Sequence, residues 1–436
     1  MNRLRAIGLD KNIFKENNMK KTGILLLSVL ILFMTVGNVF AGGGQQRGRQ
    51  DGTTELTIAL WHYTTQPEFA NTLDAYIRMN PHVSFDIMDL LTAGYEEQII
   101  TQLAGGRSID VLYVINTVLH YQLINSRQLT DITDRVARLS SADGMRSALD
   151  AVQAEGRYYA IPWRQDFWPL FYNMDLFDAA GEPYPENLTW DQYRDLAIRL
   201  SRGTGASRVY GSHLHTWNSI TQCMSAAQLQ ANLISTDFSF LRYMYQIRTD
   251  MQNANAIMDY PTIVAANVGY RPRFEEQLAA MMAMGSWYLG ELADRATFRW
   301  GIAPVPQMPG AREIRTMGNV TPVAIPTRAR NVEEAWRFIE WSTGEAGAMI
   351  LAEVGIPSAF KNDRVTSTFF NLPGMPTDAL SRRAFNPDSV SPEWPMHPLT
   401  GPINSILNQE HQLILAGEAT IDEGIRRMGE RASREF

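Results

Sequence analysis

A chain of 436 residues exceeds what one compact domain usually holds, and a hydrophobic share of 45% is enough to fill two cores. The formal net charge of −7, from 39 basic against 46 acidic side chains, gives no general attraction for nucleic acid or an anionic membrane surface. One cysteine, Cys223, excludes a disulfide within the chain and reads as a small buried apolar residue.

The start of the chain reads as an address. Met19-Lys20-Lys21 is a basic opening, Ile24 to Val36 is almost wholly apolar, and Val39-Phe40-Ala41 offers a cleavage site. The apolar run falls short of the roughly 20 residues that a spanning helix needs. Export with cleavage after Ala41, from a working start at Met19, is the expectation, against retention as an anchor. The first 41 residues carry a net +4, so their loss leaves −11. Residues 42–54, rich in Gly, Gln and Arg, read as a flexible tether.

Structure is predicted to begin at Glu55–Leu60, a β-rich run ending in Trp61-His62-Tyr63. Pro67 to Met79 puts Phe69, Leu73, Tyr76 and Ile77 on one helical face, and Asn80-Pro81 ends it. His82 to Met88 alternates as a second strand, which makes a β-α-β opening of the kind that builds a parallel sheet. Tyr95 to Gly105 reads as a helix and Asp110 to Val114 as a short buried strand, with Asn116 and Thr117 just past its end. Ligands of open α/β sheets bind beyond the carboxyl ends of strands.

Gly156 to Gly181 is the stretch around which the rest is organised. Pro162, Trp163, Asp166 and Trp168 interrupt two apolar runs, so a polar, ring-rich segment lies where one strand ends and another begins. Thr189 caps the next helix, with Asp191 and Gln192 suited to its positive end and Trp190 as a packing residue. Val209 to Ala256 reads as helical. Phe274 to Met284 is predicted as a further helix ending in Gly285-Ser286-Trp287-Tyr288, and Phe298 to Pro306 as a strand. Val320 to Ile325 follows Gly318-Asn319 as a strand. Val332 to Ser342, Pro402 to Leu415 and Ile421 to Arg434 are helices.

The order Gly-x-x-Tyr-Ala-Ile-Pro, an acidic residue, then Leu-Phe-Tyr-Asn-x-Asp-Leu-Phe-x-x-Ala-Gly resembles the sugar-type (family 1) extracellular solute-binding proteins of ABC importers, the maltose-binding-protein-like group. The Leu-Thr-Asp-Ile-Thr loop at 129–133, Thr-Trp-Asp at 189–191, Gly-Ser-Trp at 285–287, Glu-Ala-Trp-x-Phe-Ile at 334–339 and Gly-Ile-Pro at 355–357 extend the likeness over residues 55–436. The resemblance implies an α/β fold of two lobes of the type II periplasmic-binding-protein kind. Each lobe is a mainly parallel sheet flanked by helices, and hinge crossovers join them. Residues 55–162 with 308–345 are expected in the first lobe, and 163–307 with 346–436 in the second. It also implies a carbohydrate carried to a membrane permease by a monomer in the periplasm. No cysteine at the cleavage point offers a lipid anchor.

A sugar presents an apolar face ringed by hydroxyls, so its site needs stacking rings and planar polar tips. Cleft-facing loop positions offer Trp61, Tyr63, Trp168, Trp287 and Tyr288 for stacking and Asn116, Asp166 and Asn319 for hydroxyls. The family match singles out Trp287 and Asp166. The plainer reading of each ring is a core or hinge residue, and Trp217 and Trp394 are weaker candidates. His213-x-His215 has metal-like spacing without a third ligand nearby, so no metal or cofactor is expected. Gly-x-Ser-x-Gly, phosphate-loop, His-Glu-x-x-His and Cys-x-x-Cys patterns do not occur. Alternatives are a non-sugar solute such as a polyol phosphate or polyamine, or a secreted glycoside hydrolase, whose acidic pair need not be close in sequence. Arg164 keeps an anionic sugar substituent in play.

Overall fold

The computed structural model describes residues 53–436. The expected leader and all but the last two residues of the expected tether lie outside the described residues, and Thr54 already belongs to the first strand.

In chain order the strands are β1 (Thr54–Trp61), β2 (Val83–Leu90), β3 (Val111–Tyr113), β4 (Ala160–Gln165), β5 (Leu170–Asn173), β6 (Tyr210–His213), β7 (Ala279–Ala283), β8 (Trp300–Ala303), β9 (Arg315–Gly318), β10 (Val320–Ala324) and β11 (Ser389–Pro392). One sheet runs β2-β1-β3-β10-β4 and another β6-β7-β5-β8, while β11 and β9 form a two-stranded ribbon. β1 lies parallel to β2 along its whole length, from Thr54 opposite Val83 to Trp61 opposite Leu90. In each large sheet a single strand runs against the rest: β10 between β3 and β4, and β5 between β7 and β8.

The predicted β-α-β opening forms, with Phe69, Leu73 and Tyr76 buried as expected but Ile77, expected on the same face, 36% exposed at its edge. Helix Pro67–Met79 buries Phe69, Leu73 and Tyr76 against the first sheet and has Pro at its start, where no N–H is missed. Thr189 and Gln192 close a capping box: the Gln192 N–H donates to Thr189 Oγ1 at 3.3 Å and the Thr189 N–H to Gln192 Oε1 at 2.8 Å. Trp190 is fully buried and its Nε1 donates to Gln228 Oε1 at 2.9 Å, which makes it a packing residue.

Two predictions are corrected. The helix expected over Phe274–Met284 is a short helix, Tyr270–Glu275, followed by β7. Ala279-Ala280-Met281-Met282-Ala283 is buried at every position in mid-sheet, so it shows no alternation, and its intrinsic helix preference yields to pairing on both sides. Val209–Ala256 is not helical throughout, since β6 opens it. There Gly211 admits helix Trp190–Leu200, for a Cβ would stand 1.7 Å from the Ala197 carbonyl oxygen.

Two apolar cores follow the two sheets. Leu56, Ile58, Phe69, Tyr113, Val323 and Phe338 belong to the first, and Phe171, Trp190, Tyr245, Met281 and Leu407 to the second. Met308 and Met317, expected with the first lobe, pack in the second core. The chain passes between lobes from β4 to β5 and back from β9 to β10. These crossings are tied together where the Asp166 N–H donates to the Asn319 carbonyl at 2.9 Å and the Trp168 N–H to that of Met317 at 3.1 Å. Helix Glu345–Glu353 serves both sides, with Leu351 in the first core and Ala348 and Ala352 in the second.

Candidate functional site

The carboxyl ends of strands from both sheets open onto one cavity of about 570 Å³. β1 delivers Trp61 and His62, the turn after β3 delivers Asn116 and Thr117, the crossing delivers Arg164, Asp166 and Trp168, and the second crossing delivers Asn319. The loop after β6 adds Trp217, the loop after β7 adds Trp287, and the segment after β11 adds Glu393 and Trp394.

Asp166 is 1% exposed. Ser286 Oγ donates to its Oδ1 at 3.4 Å, and Arg164 Nε lies 3.5 Å from its Oδ2, which has no hydrogen-bond partner. Burial pushes this carboxyl above the usual range for aspartate, opposed by Arg164 and Ser286. On its other side Arg164 reaches the buried Glu68 at 3.5 Å, and its Nε donates to Thr321 Oγ1 at 3.2 Å. Its guanidinium also lies over Trp61 and Trp163, at 5.7 and 5.9 Å from the ring centroids. Burial likewise raises Glu68, opposed by Arg164. Burial also raises Glu393, which the Asp166 charge lifts further.

Three tryptophans from three separate stretches line one side. Trp287 is half-buried, stands edge to face with Trp168 and donates from Nε1 to the Tyr270 hydroxyl at 3.3 Å. Trp217 is 40% exposed and packs on His215 with centroids 4.3 Å apart. Buried polar atoms normally find hydrogen-bond partners, yet Trp168 Nε1 and Gln66 Oε1, like Asp166 Oδ2, have none among the described residues.

Of the eight sequence candidates, six line this cavity: Trp61, Asn116, Asp166, Trp168, Trp287 and Asn319. Trp61 is 2% exposed and held edge-on by Phe69 and Tyr95. The amides of Asn116 and Asn319 are already engaged: Asn116 Nδ2 donates to Glu96 at 2.7 Å, its Oδ1 caps helix Thr117–Asn125, and Asn319 Nδ2 donates to the Ile115 carbonyl at 2.9 Å. Tyr288 and Tyr63 are not among the lining residues. Tyr288 is fully buried against Phe171 and Tyr270, with its hydroxyl donating to Glu275 at 3.1 Å, because it starts a helix whose inner face fills the second core. Tyr63 is half-buried at the edge of the first core.

Sequence reasoning did not select Gln66, Tyr270, Arg271 or Glu393, and ranked Trp217 low; all five line the cavity. Recognising β6 would have placed Trp217 just past a strand end, while the others had no legible signal. His213 is buried, and burial lowers its pKa to about 3 and that of His215 to about 4. Among the described residues no group of three or more His, Cys, Asp or Glu side chains is placed to hold a metal ion.

The sequence pattern of the family described as bacterial extracellular solute-binding protein matches residues 64–349. The fold is similar to that of a sugar transporter from Rhizobium etli in an open conformation, at 28% identity over 87% of this chain and 99% of that one, with a TM-score of 0.76. It is also similar to an ABC substrate-binding protein from Listeria monocytogenes in complex with cycloalternan, at 17% identity, 88% and 99% coverage and a TM-score of 0.75. In sequence the chain is 20% identical over 338 residues to the arabinooligosaccharide-binding protein of Bacillus subtilis, covering 75% of this chain and 77% of that one.

Proposed function

The chain belongs to the family of bacterial extracellular solute-binding proteins, and from that membership we propose that it is the carbohydrate-binding component of an ABC importer, exported to the periplasm, cleaved after Ala41 and acting as a monomer. The sugar binds in the cavity between the lobes. Contacts from both sides favour closure about the crossings, and the closed form is what the membrane permease recognises. No covalent step, metal or cofactor enters.

One observation carries this reading: five tryptophans line a cavity in which Gln66 Oε1, Asp166 Oδ2 and Trp168 Nε1 lack hydrogen-bond partners among the described residues. A polar group left so costs about 1–3 kcal/mol, and a polyhydroxylated guest supplies both donors and acceptors while its C–H face rests on a ring. Arg164 already stands between Glu68 and Asp166, which argues against an anionic guest. The ligand class named for the Bacillus subtilis relative supports a carbohydrate.

A thermal-shift screen across sugars, polyols, polyol phosphates and polyamines tests it, because a ligand held only by the native state raises the melting temperature. The expected result is a rise with a carbohydrate. A rise confined to phosphates or polyamines would replace the ligand class, and cleavage of an oligosaccharide during incubation would replace the function.

A further inference from the structure

We infer that the ligand is a neutral oligosaccharide lying across two chambers rather than a single sugar unit in one, an inference that rests on the carbohydrate reading above. A second cavity, of about 500 Å³, adjoins the first at Gln66, Arg164 and Trp287, the three residues common to both. Its walls come from the start of helix Pro67–Met79, from helix Tyr288–Arg295 and from Glu353, Val354 and Ile356, and the residues just before the two helices, Gln66 and Trp287, are the ones that reach the first chamber. Each chamber alone lies within the roughly 300–1,000 Å³ that holds a drug-sized ligand, so one sugar ring leaves most of the space unfilled.

The chemistry of the second chamber suits hydroxyls. Glu68 and Glu291 are held by Arg164 and Arg271, while Asp294, Glu353 and Arg295 make no ion pair or side-chain hydrogen bond among the described residues, which leaves two free carboxylates against one free guanidinium. Free carboxylates accept from hydroxyls two at a time and repel a uronic acid unit. Gln66 Oε1, buried without a partner where the chambers meet, is placed to accept from the linking unit. Trp287, half-buried between them, offers the ring past which the chain bends.

The test is calorimetry on the purified full chain with neutral gluco-, manno-, galacto-, xylo- and arabino-saccharides of one to five units. In the series that binds, Kd is expected to fall at least tenfold from the shortest binder to chains of three or more units. Asp294 is exposed on its helix, so Asp294→Trp puts an indole into the second chamber with little risk to the fold. It should abolish that gain while leaving Kd for the shortest binder within about twofold, and Asp294→Ala, which leaves the chamber open but removes one acceptor, should keep part of the gain. Affinity independent of chain length, or a gain untouched by Asp294→Trp, overturns the inference and leaves the carbohydrate reading standing. No response to any sugar overturns both.

Discussion

Trp168 and Trp287 meet edge to face, with ring centroids 5.5 Å apart and planes at 88°. One indole comes from the first crossing and the other from the loop after β7, so this contact fixes the angle at which Trp287 faces the cavity.

Trp287→Ala is therefore expected to weaken sugar binding at least tenfold, in line with the roughly 1–3 kcal/mol that ring platforms contribute. Because Trp287 is half-buried, the melting temperature of the unliganded protein should move little. Unchanged affinity in calorimetry would remove the residue from the site.

Asp166→Asn keeps the shape of the side chain and removes its charge. Weaker binding at pH 7 is expected. Burial holds the Asp166 pKa above the usual aspartate range, so in the wild type this acceptor is lost at a higher pH than an exposed aspartate would be. Affinity of the wild type should fall as the pH drops from 7 toward 4, and that of the variant should fall less. Glu68 and Glu393, raised in the same direction, leave a residual dependence. Titration curves of equal slope for the two proteins would assign the pH effect elsewhere.

Acid should also destabilise the fold through its buried histidines. Burial lowers His120 and His213 to about 3, whereas in the unfolded chain histidine titrates near 6.5. Between those values the unfolded state binds more protons. The stability present in full above about 6.5 is thus lost as the pH falls toward 3, by up to about 1.4 kcal/mol per pH unit for each such group. Raised carboxylates such as Asp166 act in the opposite sense. A single replacement isolates the histidine contribution: both ring nitrogens of His120 are buried without hydrogen-bond partners among the described residues, so His120→Phe should unfold in urea with a smaller loss between pH 7 and 5 than the wild type. Equal losses would contradict this.

Gly318 sits where the second crossing passes the first. A Cβ there would stand 1.9 Å from the Asp166 carbonyl oxygen. Gly318→Ala must push the two crossings apart, and a loss of about 1–3 kcal/mol in chemical denaturation is expected. Sugar affinity should drop with it, because the segment that moves carries Asp166. Full stability in the variant would show that the crossings have slack.

What the sequence disclosed tracks how local the cause was. The β-α-β opening was legible because Phe69, Leu73 and Tyr76 recur at helical spacing between two strand patterns, and the helix cap because Thr189 stands directly before a helical run; that Gln192 closes the box was not read. The strand Ala279–Ala283 was not, since only pairing with β5 and β6 makes that Ala/Met run extended. Among site residues, those beside a recognised strand end or in a quoted motif could be named, as with Asn116, Asp166 and Trp287. Glu393 reaches the cavity from a segment whose only strand, β11, is anchored by β9 far upstream, and nothing near it in the sequence announces that. Tyr288 shows the reverse failure: its neighbour faces the cavity, but one residue on, the helix turns the ring into the core.

The placement of β10 between β3 and β4 has a bearing on how the protein is made. Ribosomes deliver β4 some 150 residues before β10, so the early part of the nascent polypeptide lacks the piece that would join its third and fourth strands. Until residue 324 emerges, the first sheet is open in its middle. This late keystone postpones completion of the first half until most of the chain has been synthesised.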